Sequence, residues 1–175
     1  YVCGPILMAA ALRNIPTLIQ EQNVIAGITN KILSRFVDVV AVGYNEAAKS
    51  FDKAKQVVYT GNPVRPDVLV DSRVEGRKHF GLSDDIFTVL IAGGSRGART
   101  INNAMIDVHK HFQGKDGIKL IHITGNGEYT SVLEKLGIND GSGLGESSLI
   151  LPYLHAMPKA LAATDLAVFR SGAIG

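Results

Sequence analysis

The chain has 175 residues, 46% of them hydrophobic and 19% charged, which supports a packed core and excludes a disordered chain. The formal net charge is only +2, and the parts before and after residue 85 carry 10 basic against 9 acidic residues and 8 against 7. There is thus no basic arm or acidic tail, and nucleic acid is not favoured as a partner. Cys3 is the only cysteine, which excludes a disulfide framework and fits a reducing compartment.

In chain order, the first element is an apolar run at 5–12, the longest unbroken one and far short of the ~20 residues of a membrane span. It is read as a buried core helix. Short apolar or β-branched runs follow at 17–20, 37–42, 56–60, 87–92, 118–123, 148–151 and 166–169, and these are the predicted strands. Between them, Ile25, Ile28, Ile32 and Phe36 keep one helix face, and Ile101, Met105, Val108 and Phe112 keep another, with Ala104 beside them. Residues 129–136 close on Gly137, a predicted helix C-cap. A polar stretch at 60–85 holds prolines on either side of Val64 and Arg65 and a short helix at 73–80, and marks the domain boundary. Strands alternating with helices predict parallel sheets covered on both faces. The chain opens on Tyr1 and stops inside the glycine turn "RSGAIG", so it is read as an internal piece of a longer protein.

In open parallel sheets, ligands bind beyond the carboxyl ends of the strands. The residues there are polar or glycine: "QEQN" from Gln20, "GYN" from Gly43, "GNPVR" from Gly61, "GGSRG" from Gly93, "GNG" from Gly125, "PYLH" from Pro152 and "RSG" from Arg170. The loop after 87–92 lacks the lysine of a P-loop. It is nearer the dinucleotide fingerprint, with Ala92, Gly94 and Gly97 at the three glycine positions, but the strand at 118–123 ends without the carboxylate that would hold a ribose. What is left is either an anion-binding helix N-terminus, with Ser95 and Arg96 or Arg99 contributing, or a turn made only for packing. "RSGAIG" offers the same two readings.

Glu21 is a candidate general base if partly buried, and Asn23 is a candidate N-cap or sugar contact. Arg65 is either a phosphate clamp or a solvated linker residue. His109 and His111 lie two apart on a helix and face different ways, and His79, His122 and His155 are isolated, so no metal site is expected.

Taken together and in order, "YVCGP", "EQN-x-x-AG-x-TN" at 21–30, "TGNPVRP-x-VL" at 60–69, "GGSRGARTIN" at 93–102 and "RSGA" at 170–173 resemble the MurG family, the UDP-N-acetylglucosamine transferases of peptidoglycan synthesis. The resemblance spans essentially the whole chain. It implies an α/β fold of GT-B glycosyltransferase type: two Rossmann-like domains with parallel sheets, both incomplete here, and an active site in the cleft between them. Residues 1–64 would be the C-terminal part of the acceptor-side domain, 65–85 the interdomain linker, and 86–175 the first half of the UDP-sugar domain. The implied reaction is an inverting transfer of N-acetylglucosamine from UDP-N-acetylglucosamine to lipid I, forming lipid II. No cofactor or metal is implied, and the protein would work peripherally on the cytoplasmic face of the membrane.

The family pattern places sugar-donor contacts at Asn23, Arg65, Ser95 and Leu154. Other active-site positions fall on Tyr1, Glu21, Gly93, Gly94, Gly97, Asn102, Ser171, Gly172 and Ala173. The chain departs from the pattern at Gln20 (usually histidine), Arg96 (commonly glutamine), His155-Ala156 (an acidic pair) and Ile174-Gly175 (Leu-Thr). A first glycine loop with the main candidate base would precede Tyr1, so the piece alone is expected to be inactive. The other readings are another GT-B nucleotide-sugar enzyme, an NAD-dependent oxidoreductase, or a nucleotide-sugar-binding module without catalysis.

Overall fold

The computed structural model describes residues 3–94 and 97–170. The chain divides between Val64 and Arg65 into two compact units. In the first unit, β1 (Leu18–Glu21), β2 (Val39–Val42) and β3 (Val57–Tyr59) form a parallel sheet in that order, with Gln20 opposite Ala41 and Val42 opposite Tyr59. Helix α1 (Cys3–Leu12) precedes the sheet, α2 (Ile28–Leu33) joins β1 to β2, and α3 (Asn45–Ala48) runs into a 3₁₀ turn at Lys49–Phe51 before β3. Ile19, Leu33, Val37, Val40, Val42 and Phe51 make the core, with Leu7 and Met8 of α1 packed against it.

Two expectations fail in this unit. Helix α1 buries none of its residues fully, and Ile6 and Leu12 stay exposed. The stripe of Ile25, Ile28, Ile32 and Phe36 is exposed as well, because α2 has only six residues and turns Leu33 inward instead.

The second unit holds α4 (Asp67–Val70), α5 (Arg73–His79), β4 (Phe87–Ala92), α6 (Arg99–Phe112), β5 (Ile118–Ile123), α7 (Tyr129–Leu136), β6 (Ser148–Leu151), α8 (Met157–Ala163) and β7 (Leu166–Phe169). Its strands are all parallel in the order β6-β5-β4-β7. Side-chain alternation divides the central strands cleanly. Leu90, Ala92, Ile121 and Ile123 pack with Ala160 of α8, whereas Val89, Ile91 and Leu120 pack with Met105 of α6. Burial on both faces is what makes "FTVLIA" continuously apolar. Helix α7 ends where predicted, with Gly137 left-handed at φ 72°.

The stretch expected as a linker, 65–85, is built into this second unit. Helix α5 starts with a capping box: Ser72 Oγ accepts from Glu75 N–H, and the Glu75 carboxylate accepts from Ser72 N–H at 3.2 Å. The helix packs on α8 at Gly76, where any Cβ would collide with the Lys159 carbonyl. Arg77 is 2% exposed and donates to the carbonyls of Ser83, Ile86 (2.6 Å) and Ala163 (3.4 Å). Its Nη1 also lies 3.6 Å from Asp165 Oδ2, and Asp165 in turn accepts from Thr88 N–H at 2.8 Å.

Candidate functional site

Glu21 ends β1 and is 3% exposed. Its Oε1 accepts from the Asn23 N–H (3.0 Å) and from Asn23 Nδ2 (3.1 Å). Its Oε2 accepts from the Gly27 N–H (2.9 Å) and from Asn30 Nδ2 (2.9 Å). This geometry explains the "EQN-x-x-AG-x-TN" spacing: one buried carboxylate ties together the loop and the start of α2. Burial by itself would raise the Glu21 pKa, but the four N–H donors outweigh it and hold the carboxyl below its ordinary value. A carboxylate with both oxygens occupied and its proton affinity reduced is a poor proton acceptor. The general-base role expected of Glu21 does not fit its surroundings, and its place is that of an anchor.

Asn23 is not the N-cap of α2, which is Gly27. One amide N–H of Asn23 is spent on Glu21, which orients an otherwise exposed side chain. Asn62, which the sequence reading passed over, reaches across from the end of β3 and donates to the Gln22 carbonyl at 3.1 Å. Its side chain fills the space above Gly43, where a Cβ would collide with it. The only sign of this in the sequence was an asparagine directly after the glycine turn at a strand end. Glu21→Gln should cost about 1–3 kcal/mol, because an amide presents N–H groups to N–H donors and leaves two of them buried and unpaired. Chemical denaturation of the variant measures this.

In the second unit the glycine turn is closed by two tight contacts. A Cβ on Gly93 would collide with Ala98, and one on Gly97 with the Thr124 carbonyl oxygen. Gly94 and Gly97 both have positive φ, 87° and 76°. Helix α6 then begins after Ala98 without a side-chain cap, and among the described residues no side chain accepts from its first N–H groups, the kind of helix start that suits an anion. Gly97→Ala should cost about 2–3 kcal/mol from backbone strain and collision, read as a lowered denaturation midpoint. An unchanged midpoint would mean that the turn tolerates a side chain.

Beside this turn lies a hollow of about 240 Å³ lined by Arg65, Ala92, Gly94, Ile123, Tyr153, Leu154, His155 and Met157. Larger hollows of about 460 and 410 Å³ lie at Asn14–Leu18 and at Phe80–Ser83, toward the amino ends of their strands. The smaller one sits at the carboxyl edge, where parallel sheets place ligands. Its apolar floor and the edge-on ring pair of Tyr153 and His155 (4.8 Å between centroids) suit a flat ring, and Arg65 supplies positive charge. Both residues fall in the "PYLH" stretch that the sequence places at a strand's carboxyl end, but no ligand role was assigned to either. Arg99 is committed elsewhere, with its Nε 2.7 Å from Glu128.

The structure thus brings Arg65, Leu154, Gly94 and Gly97 to one edge of the second unit, with Gly93 in the same turn. It places Glu21 and Asn23 at the corresponding edge of the first. Asn102 lies beneath the turn, 1% exposed, and donates to the Thr124 carbonyl at 2.9 Å. Tyr1, Ser95, Ser171, Gly172 and Ala173 fall outside the described residues. His122 is not isolated, as the sequence suggested: its ring stacks on that of His109 at 5.2 Å. Strand β5 ends at Ile123 and is followed by Thr124, whose hydroxyl donates to the Gly125 carbonyl, so no carboxylate stands at the ribose position of a dinucleotide site.

Parallel α/β units with a glycine turn opening a helix at the carboxyl edge are the arrangement in which open parallel sheets hold their ligands, and they define the Rossmann-like class of protein. Comparison with known proteins narrows it. The profile of the glycosyltransferase family 28 C-terminal domain matches residues 88–174, and that of the family 28 N-terminal domain matches residues 1–42. The chain belongs to glycosyltransferase family 28, and its fold is the GT-B type with two Rossmann-like units. It is 45% identical over 174 residues to a UDP-N-acetylglucosamine–N-acetylmuramyl-(pentapeptide) pyrophosphoryl-undecaprenol N-acetylglucosamine transferase of Acetivibrio thermocellus, covering 99% of this chain and 46% of that protein. A transferase of the same name from Desulfitobacterium hafniense is 47% identical over 173 residues, again with 99% and 47% covered. A crystal structure of MurG from Acinetobacter baumannii superposes with a TM-score of 0.62 at 29% identity, covering 99% of this chain and 45% of that one. The chain spans about half the length of the curated relatives it matches.

Proposed function

We propose that the protein transfers N-acetylglucosamine from UDP-N-acetylglucosamine to lipid I, forming lipid II with inversion at the anomeric carbon. The observation that carries this reading is the carboxyl edge of the second unit, where the slot at Leu154 and Tyr153 adjoins Arg65 and the glycine turn opening α6. The slot takes the uracil ring, with Leu154 as the backbone contact. The N–H groups at the start of α6 face the diphosphate and stabilise the charge that develops on UDP as it leaves. Arg65 adds a cation, and Ser95, which follows Gly94 in the sequence, is assigned a donor contact by the family pattern. The names of the relatives support the sugar, the acceptor and the reaction.

In this reading the first unit is the acceptor side, and Asn23, oriented by Glu21, is a sugar contact. The proton of the attacking 4-hydroxyl goes to a residue other than Glu21, whose oxygens are already occupied. Because lipid I is anchored in a bilayer, the protein works as a peripheral protein on the cytoplasmic face; no described helix is long and apolar enough to cross a membrane. The reaction as proposed uses no cofactor.

Differential scanning fluorimetry of the full-length protein with UDP, UDP-N-acetylglucosamine and NAD, followed by a transfer assay with a lipid I analogue, tests this. UDP and UDP-N-acetylglucosamine should stabilise the protein, and label should pass to the acceptor. Stabilisation by NAD alone would overturn the reading. Binding of the UDP-sugar without transfer would replace it with a binding module.

A further inference from the structure

Beneath the glycine turn of the second unit runs an unbroken line of buried polar side chains. Ser148 Oγ lies 2.9 Å from His109 Nδ1, His109 Nε2 lies 3.1 Å from His122 Nδ1, and His122 Nε2 lies 3.0 Å from Asn102 Oδ1. Asn102 Nδ2 donates to the Thr124 carbonyl at 2.9 Å. None of the four side chains is more than 1% exposed. They come from three elements: Asn102 and His109 are seven residues apart on one face of α6, His122 is in β5 and Ser148 opens β6.

The order of donors along this line is forced by one atom. The Thr124 carbonyl can only accept, so the Asn102 amide must turn its NH₂ toward it and its oxygen toward His122. His122 must then carry its proton on Nε2 and accept at Nδ1. His109 must likewise carry its proton on Nε2, and Ser148 must donate its hydroxyl proton to His109 Nδ1. Burial pushes His109 down to about 4 and His122 down to about 3, the latter helped by its neighbour, so both rings are neutral, as this order requires.

The far end of the line meets the glycine turn: the Thr124 carbonyl is the atom against which Gly97 is packed without room for a Cβ. We propose that Ser148, His109 and His122 are positioning residues that act through Asn102 to hold the Thr124 carbonyl, and with it the turn at Gly97 that receives the diphosphate of the UDP-sugar. This rests on the sugar-donor reading of the turn. If the middle of the line is broken, His122 Nδ1 loses its donor and the ring is held only at its other end, through the Nε2–H on Asn102. A buried lone pair is then left without a partner, the ring can shift away from the geometry that holds Asn102, and the support under Gly97 loosens.

The test is made on the full-length protein with UDP as the probe. His109→Leu should weaken UDP binding on the order of 2- to 30-fold, the range of couplings carried through side-chain networks. His109→Gln, whose amide can still donate to His122, should restore binding to within about twofold of the parent. Ser148→Ala removes only the outermost donor and keeps the test open should His109→Leu fail to fold; it should weaken binding in the same direction. Nitrogen-15 chemical shifts of the imidazoles give a readout that packing alone would not move: His122 should be the Nε2–H tautomer in the parent, and in His109→Leu its Nδ1 resonance should move toward that of an unprotonated nitrogen without a hydrogen bond. Folded His109→Leu and Ser148→Ala proteins with unchanged UDP affinity would overturn the proposal, as would a parent His122 protonated on Nδ1. A parent protein with the expected tautomers that fails to bind UDP would overturn the sugar-donor reading while leaving the hydrogen-bond order intact.

Discussion

Acidification from pH 7.5 to 5.0 should lower the unfolding free energy of the second unit by about 4 kcal/mol. An unfolded imidazole titrates near 6.5, whereas in the fold burial holds His109 to about 4 and, together with the His109 charge, His122 to about 3. Between pH 6.5 and about 4 the unfolded chain therefore binds two protons that the folded chain refuses. Stability rises with pH across that window and is lost as pH falls, by about 1.4 kcal/mol per unit for each ring. Glu21 lies in the first unit, and with its lowered pKa it causes a separate loss there only at lower pH. Urea midpoints at pH 7.5, 6.0 and 5.0 measure the slope, and His109→Gln should halve it. A flat profile would show that the two rings are not buried as a neutral pair.

Arg77→Met should cost about 3–5 kcal/mol, the range for removing one member of a buried ionic cluster. Methionine keeps most of the apolar stem, but it leaves the carbonyls of Ser83, Ile86 and Ala163 without their shared donor and removes one of the cations beside Asp165. Arg77→Lys should recover only part of the loss, since a single ammonium cannot reach groups spread around a guanidinium fork. Calorimetry gives the stability change, and faster proteolysis at 81–86 would report the freed loop. A loss below about 1 kcal/mol would show that backbone pairing alone holds that segment.

Much of the second unit was legible because its central strands are buried on both faces. The limits of β4, β5, β6 and β7 coincide with the apolar runs that predicted them. β1 was read one residue early because Glu21 looks like a loop residue, although it continues the ladder opposite Val42. The exposed stripe on α2 misled for the opposite reason: Ile25 and Ile28 are apolar at helical spacing yet 84% and 77% exposed. Helix α4 and the packing of 65–85 were hidden because Arg77 looks like a surface residue until its carbonyl partners are seen.

At the site, the glycine turn and Arg65 could be read from chemistry and position. The role of Glu21 could not, since its partners at 23, 27 and 30 follow no helical or strand period. The link between His109 and His122 was equally invisible. It depends on a register between α6 and β5 that sequence spacing does not encode.

The one-way order of hydrogen bonds under the glycine turn also constrains how this sequence can drift. A histidine at 109 needs a hydroxyl donor at 148, and a histidine at 122 needs a proton donor at 109. Among diverging relatives, positions 109 and 148 should therefore be inherited as a pair. Loss of the serine should accompany a residue at 109 that no longer seeks a proton from it. Position 102 has less freedom, because it faces an acceptor on one side and an imidazole N–H on the other, and only a side chain carrying both a donor and an acceptor answers both.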